Sequence, residues 1–373
     1  MSNVLGLENF RQSAELNSVQ PEHTYTEKSP VVEIFSAMTK GEDTSKYGEK
    51  ANKAYNYIKT LGANAQAGDG KSKVELNTIT SIQIQAPLLQ RLQLFNFMGN
   101  VTNVAYDERL LYKVYKLQGK MSGLQASNGD VPFATSTWDY REMTTQPVSG
   151  GMAVNYRELA AGNFSNQGVL AEQVVTDMTN KVFSKVISDL YTGVKASTGV
   201  KNFAEAAGIT KASVQAAIKK ARRFGSVGIF GDYNVTSQLN EMTGFNTDTA
   251  GTLAKQLPIS VIEEIMKTGL ISTFYNTPVT EIPNAYNLTK LNAAGTDYDL
   301  YLPDGLLFFL VSGAMAPLQV GMRGGLTSKS GFDVVTGLEI TRFDLEFGDV
   351  LIPEYTPMIG LISDTTFAQT KSF

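Results

Sequence analysis

The sequence predicts an α+β protein in which a tail and a long β-hairpin extend from the packed core. One uninterrupted helical pattern covers about 30 residues, Ser165–Lys195, with an apolar stripe along one face. Two strand-like segments, Arg109–Leu117 and Thr135–Val148, enclose a tip rich in Gly, Ser, Asn, Ala and Gln, which predicts a hairpin. After Gly313 the chain is almost entirely strand-like and shows no helical periodicity.

The composition excludes several classes of function. The 373 residues are enough for two or more packed regions. With 32 Lys plus Arg and 36 Asp plus Glu, the net charge is −4, which argues against a broad basic face for nucleic acid. The chain has no Cys and one His, His23, so disulfide scaffolds, Cys-based metal sites and Cys nucleophiles are excluded. We therefore predict no catalytic residue, no cofactor and no metal site.

The hydrophobic pattern predicts no membrane partner. The longest apolar run, Leu306–Val311, is far shorter than the roughly 18 apolar residues needed to span a bilayer. The first residues lack the basic and apolar blocks of a secretory signal. We expect a protein that is soluble and intracellular at synthesis.

The first 73 residues are polar and predict short elements that need a surface to lie on. Pro30 begins a short helix that ends at Gly41, and Ser45–Leu61 carries a narrow apolar stripe. Gly62–Lys73 is rich in Gly, Ala and polar residues and predicts a flexible joint. Pro87 then predicts the first turn of a Leu-rich helix.

The predicted hairpin needs support from outside itself. Its first strand places apolar and polar side chains on both faces, so neither face is cleanly apolar. An isolated ribbon of two strands is marginally stable in water. We expect another subunit to stabilise it.

A compact α/β unit follows the long helix, from Val200 to about Asn292. Its predicted elements are a helix over Thr210–Phe224, a strand over Val227–Phe230 with Asp232 capping the next helix, a helix from Ser260 to Gly269, and a strand over Ile271–Tyr275.

This order of parts resembles the major capsid proteins of tailed double-stranded DNA bacteriophages, whose fold also occurs in encapsulins and the herpesvirus capsid floor. The resemblance implies a division of the chain into an N-terminal arm (1–73), the first part of a peripheral domain (74–106), an extended loop (107–154), the peripheral domain with its spine helix (155–199), an axial α/β domain (200–311), and returning strands of the peripheral domain (312–373).

The resemblance implies a structural protein and not an enzyme. Such subunits form hexamers and pentamers that build an icosahedral head in the virion, after assembly in the host cytoplasm. Expected partners are other copies of the chain, a portal, scaffolding or decoration proteins, and packaged DNA held non-specifically on the inner face. The candidate contact residues between subunits are Phe35 and Tyr55 in the arm, and Tyr112, Tyr115, Met121 and Trp138 in the loop.

Two other functions stay open at this point. An encapsulin-type shell would enclose a cargo enzyme in place of DNA. A hydrolase that relies on Asp and Glu alone would need a spaced pair of carboxylates, and no such pair can be named. The cluster Lys219, Lys220, Arg222 and Arg223 either faces solvent at a helix C-terminus or contacts DNA or an acidic neighbour.

Overall fold

The structure is a computed structural model that describes residues 25–26, 28–92, 99–118, 135–242, 259–292, 295–312, 317–333 and 338–367. The chain divides into two compact units, and each is built from separate stretches of sequence. The first unit comprises Met1–Phe95, Pro147–Phe183 and Gly324–Glu346, and the second comprises Asn96–Gln146, Ser184–Arg323 and Phe347–Phe373. Both contain helices and strands, which confirms the predicted α+β class. No helix in the described ranges is long and apolar enough to cross a membrane.

The early part of the chain is helical. Its elements are α1 (Pro30–Thr39), a 3₁₀ turn (Ser45–Tyr47), α2 (Glu49–Gln66) and α3 (Gly70–Leu92). Pro87 lies inside α3 and not in a first turn, so the prediction of a helix beginning there is wrong.

The predicted flexible joint over Gly62–Lys73 is also wrong, because most of it is helix. Gly62 lies within α2, and a Cβ there would stand 2.9 Å from the backbone nitrogen of Ala160. This glycine therefore allows a close approach to α4 (Tyr156–Ala161) and does not break the helix. Asp69 accepts a hydrogen bond from the Ser72 backbone nitrogen (3.0 Å) where α3 begins.

A buried carboxylate ties the start of the described chain to these helices. Glu75 of α3 is 3% exposed and accepts a hydrogen bond from the Tyr57 hydroxyl of α2 (2.7 Å). The Tyr25 hydroxyl also donates to Glu75. Burial and these hydrogen bonds raise the pKa of Tyr25 above its ordinary value. This part of the arm is thus anchored within its own chain.

The long helix is confirmed as α5, Ser165–Ala196, one residue longer than predicted. From Val174 onward its stripe at intervals of four residues is buried, with Met178, Val182, Val186 and Leu190 all without exposed surface. Burial of this stripe explains why a helix more than twice the average length forms here.

The α/β unit contains a six-stranded sheet. Its strands are β5 (Asn202–Ala206), β6 (Ser226–Gly231), β7 (Thr273–Phe274), β8 (Thr277–Glu281), β11 (Leu306–Ser312) and β14 (Gly360–Asp364). Their order in the sheet is β5-β14-β11-β6-β8-β7. Its helices are α6 (Lys211–Ala221), α7 (Tyr233–Thr236), α8 (Gln238–Met242) and α9 (Ile259–Thr268). The core joins Val214 and Ile218 of α6 to Ile229, Leu307 and Phe309 of the sheet.

The last strand of this sheet comes from a distant part of the chain. β14 pairs with β11 and with β5, whereas the division implied by the resemblance placed residues 312–373 with the peripheral domain. The predicted strand at Val227–Phe230 is present, and Asp232 caps α7 by accepting from the Asn234 nitrogen (2.8 Å).

The remaining strands form three smaller arrangements. β1 (Asn100–Val104), β4 (Gln146–Val154), β12 (Leu318–Asp333) and β13 (Leu338–Leu351) form a sheet in the order β1-β12-β13-β4. β2 (Leu111–Gln118) pairs with β3 (Thr135–Glu142), and β9 (Tyr286–Leu291) pairs with β10 (Tyr298–Leu300). The elements of the tailed-phage capsid fold are therefore present in the expected order: helical arm, hairpin, long helix, α/β unit and late strands.

Candidate subunit interface on the β-hairpin

The hairpin has two different faces. β2 and β3 are antiparallel, with register from Leu111 opposite Glu142 to Gln118 opposite Thr135. Directly opposite residues point to the same side of a ribbon, and successive residues alternate between the sides. Tyr112 and Val114 therefore lie on one face, and Leu111, Lys113 and Tyr115 lie on the other.

The first face is held by the hairpin's own unit. Val114 has no exposed surface, and the Tyr112 hydroxyl donates to the Val320 carbonyl oxygen (3.3 Å). Burial raises the pKa of Tyr112 above its ordinary value. Arg141 pairs with Glu354 (3.2 Å). This face of the hairpin therefore has support within the chain, and stabilisation of the hairpin by another subunit stays a prediction.

The other face exposes a continuous set of large side chains, which we call the outer strip. Tyr115 stands directly opposite Trp138, and Lys113 stands opposite Tyr140. The Lys113 ammonium lies 5.8 Å from the ring centres of both Trp138 and Tyr140, within the range of a cation–π contact. The exposed fractions of its hydrophobic members are 49% for Leu111, 52% for Tyr115, 58% for Trp138 and 51% for Tyr140.

The structure separates the predicted contact residues. Tyr115 and Trp138 lie on the outer strip, and Tyr112 lies on the supported face. Met121 lies outside the described residues. For these loop residues a contact with another subunit stays a prediction.

The two arm residues pack inside their own chain. Phe35 is fully buried and meets the ring of Phe164 edge-on, with centres 5.6 Å apart. Tyr55 is half-buried and also meets Phe164 edge-on at 5.4 Å. Phe35 is fully buried within its own chain, and for both arm residues a contact with another subunit stays a prediction. The apolar periodicity that suggested it is explained by an internal core.

Sequence reasoning missed two members of the outer strip, Leu111 and Tyr140. The alternation in β2 placed Leu111, Lys113 and Tyr115 on one face. Which residues of β3 join them depends on the register, and the register depends on the tip, whose length and conformation the pattern does not fix.

The basic cluster at the end of α6 is used in two ways. Arg222 donates to the Thr277 hydroxyl (3.0 Å) and to the Tyr275 carbonyl oxygen, so it stabilises the turn between β7 and β8. Lys219, Lys220 and Arg223 are exposed. Among the residues that the structure describes, no group of three or more His, Asp or Glu is placed to hold a metal ion.

The comparison with family models decides the identity. Residues 15–363, nearly the whole chain, match the family described as "SPbeta prophage-derived putative capsid protein YonB". The chain belongs to this capsid protein family. The predicted relationship to phage capsid proteins is confirmed, and the role of this YonB-family protein is structural.

Solved structures show more distant likeness to this capsid protein. A virus-like particle from Pyrococcus furiosus is 12% identical, with 75% of this chain and 98% of the other covered at a TM-score of 0.43. The capsid protein of cyanophage P-SCSP1u is 9% identical, and the match covers 72% of this chain and 87% of the other at a TM-score of 0.46. A chain of Mycobacterium phage Adephagia is 12% identical, and the match covers 74% of this chain and 89% of the other at a TM-score of 0.47. A search of curated proteins found no match. Membership of the family rests on the family model.

Proposed function

We propose that this capsid protein is the major subunit of an icosahedral phage head and self-associates into hexamers and pentamers. The outer strip carries the proposal, because its large side chains are ordered on a well-supported hairpin and yet lie open to solvent. Exposed aromatic patches of this kind mark surfaces that are covered by a partner. In a shell protein the partner is a neighbouring subunit.

The size of the strip indicates how such a shell is held together. Half-exposed aromatic and leucine side chains offer roughly 300 Å² of apolar surface, and burial of that area is worth about 7 kcal/mol before other terms. Association costs about 4–15 kcal/mol in lost freedom and ordering. One such contact is therefore weak by itself. A closed shell is stable because each subunit makes several contacts at once.

The contents and partners follow from the same proposal. The net charge of −4 fits a shell that encloses DNA through non-specific contacts rather than one that binds it tightly. A portal, and scaffolding or decoration proteins, would complete the head. Assembly would take place in the host cytoplasm, with the virion capsid as the final location.

Electron microscopy of the purified protein at increasing concentration tests the proposal. Closed particles of uniform diameter are expected, and nuclease-protected DNA is expected in particles recovered from phage-producing cells. A protein that stays monomeric at high concentration, and gives no particles with the other head proteins, would overturn it. Uniform particles that contain a cargo enzyme and no DNA would assign the shell to the encapsulin type.

A further inference from the structure

Two exposed surfaces of opposite charge lie at opposite ends of the six-stranded sheet. The strand β6 begins at Ser226, directly after the basic segment that ends α6. At its other end, Gly231 is opposite Leu307 of β11 and accepts a hydrogen bond from the Ile282 nitrogen (2.8 Å). The chain leaves the sheet there to form the ribbon of β9 and β10. Six residues of strand separate the two ends by roughly 20 Å.

The first surface, which we call the basic end, combines cations with exposed aromatic rings. Residues 219–223 carry four cations and no carboxylate. Phe224 is 49% exposed, and Tyr275 is 46% exposed in the turn between β7 and β8. Because β8 runs parallel to β6, this turn lies at the same end of the sheet.

The turn at the basic end has an unusual backbone. Tyr275 and Asn276 have positive φ angles of 49° and 56°, as a two-residue hairpin turn of type I′ requires. For tyrosine this conformation is uncommon and costs about 1 kcal/mol or more. The hydrogen bond from Arg222 to the Tyr275 carbonyl holds the turn in place, so the tyrosine is displayed by an ordered backbone.

The second surface, which we call the ribbon end, is acidic and apolar. Leu288 is 71% exposed, and Tyr286, Leu291 and Tyr298 are each about half exposed. Residues 281–304 carry four carboxylates and one lysine. Lys290 pairs with Asp299 (3.4 Å), which leaves an acidic excess in the segment. Two strands with this much exposed apolar surface are marginally stable unless something covers them.

We propose that the ribbon end of one subunit binds the basic end of the next copy. The two surfaces match in charge, both carry exposed rings, and they lie at opposite ends of one sheet. Contacts between two different surfaces of identical subunits run head to tail, and they close into rings when the rotation between copies allows it. Hexamers and pentamers need this type of contact. The inference rests on the proposed function and names surfaces that would hold a capsomer together.

Charge reversal tests the pairing. One variant carries Lys219→Glu, Lys220→Glu and Arg223→Glu, which changes the net charge of residues 219–223 from +4 to −2. A second carries Glu281→Lys with Asp297→Lys, which changes the net charge of residues 281–304 from −3 to +1. When either variant is present alone, the ribbon end and the basic end that meet in each contact carry charges of the same sign. The subunit concentration needed for association should therefore rise by about tenfold or more. Sedimentation velocity at low and high salt measures this, and association of the unaltered protein should weaken as salt rises.

A mixture of the two variants gives the sharpest result. In an equal mixture, every contact between unlike variants again joins opposite charges, so association should return. Alternation of two variants closes only rings with an even number of members. The mixture should therefore form hexamers and no pentamers, which electron microscopy can distinguish.

Controls separate this inference from the proposed function. Lys50→Glu, Lys53→Glu and Lys59→Glu together make the same charge change at exposed sites on α2 and should leave association unaltered. Leu288→Ser with Leu291→Ser removes apolar surface from the ribbon without a change in charge, and should weaken association even if a charge variant fails to fold. Particles formed at the normal concentration by both charge variants would overturn the inference while the proposed function stands. If the basic-end variant assembles into particles at the normal concentration but these particles contain less DNA, the basic end binds DNA and not a neighbouring subunit, and the inference is overturned.

Discussion

Tyr115 and Trp138 are cross-strand partners on the hairpin, and more than half of each side chain is exposed to solvent. The opposite face of the same ribbon is packed against its own unit through Val114 and Tyr112. One face of the hairpin is thus packed against its own unit, and the other face is exposed to solvent. This open aromatic face is the surface that we propose a neighbouring subunit covers.

Removal of this aromatic pair should prevent assembly without unfolding the subunit. In the variant Tyr115→Ser with Trp138→Ser, the apolar area available for the contact falls, so particles should be absent or need a much higher protein concentration. Both side chains already contact water, so the free energy of unfolding should change by less than about 1 kcal/mol. Light scattering follows assembly, and urea unfolding measures stability.

Val200→Ser is the matched control, because Val200 is 80% exposed but lies outside the hairpin. It should assemble as the unaltered protein does. If Val200→Ser reduces assembly as much as the change at Tyr115 and Trp138 does, assembly depends on exposed apolar residues in general and not on the outer strip in particular.

A buried carboxyl group should make the stability of this protein depend on pH. The Asp349 side chain is 4% exposed and its Oδ1 lies 3.8 Å from the Lys185 ammonium. Burial and the neighbouring Asp189 raise the pKa of Asp349 to about 7, and Lys185 offsets only part of this. The folded state then keeps a proton that the unfolded state loses near pH 4. The free energy of unfolding should fall as pH rises from about 4 to about 7, by at most about 4 kcal/mol, and should level off above pH 7.

The variant Asp349→Asn removes this titration. Its unfolding free energy should vary less between pH 5 and 8, and it should exceed that of the unaltered protein at pH 8. Urea unfolding at several pH values measures both, with Asp107→Asn, an exposed site, as control. If Asp349→Asn leaves the pH dependence of the unfolding free energy unaltered, the raised pKa of Asp349 is contradicted.

Gly168 near the start of α5 is a tight packing point. Alanine normally favours a helix over glycine by about 1 kcal/mol. At Gly168, however, a Cβ would stand 2.3 Å from the carbonyl oxygen of Thr39, and this backbone atom cannot rotate away. The overlap should outweigh the propensity, so Gly168→Ala should lower the free energy of unfolding by about 1–3 kcal/mol.

Gly193→Ala in the same helix is the control. The closest atom to its Cβ would be the end of the Leu351 side chain, 2.7 Å away, which can rotate. Its stability should change by less than about 1 kcal/mol. If both variants behave alike in thermal unfolding, the contact between Gly168 and Thr39 does not limit the packing.

The elements that sequence could predict are those with local signals. The stripe of α5 defined the helix to within one residue, and Asp232 marked a helix start correctly. Gly62 and Pro87 were misleading, because both residues usually interrupt helices. Close packing against α4 keeps Gly62 within α2, and Pro87 lies inside the long helix α3. The insertion of β14 between β5 and β11 joins distant segments, and no local pattern encodes that. The ribbon of β9 and β10 left a signal, the alternation of Tyr286 and Leu288 with polar residues.

The emission spectrum of Trp138 tests the central claim most directly, because the chain has only one tryptophan. If a neighbouring subunit covers the outer strip, assembly must move this half-exposed indole out of water. Its emission should shift to shorter wavelength in step with the appearance of particles, and a soluble quencher should lose access to it. Particles that form with no change in Trp138 emission or quenching would show that the strip stays open, and would contradict the account.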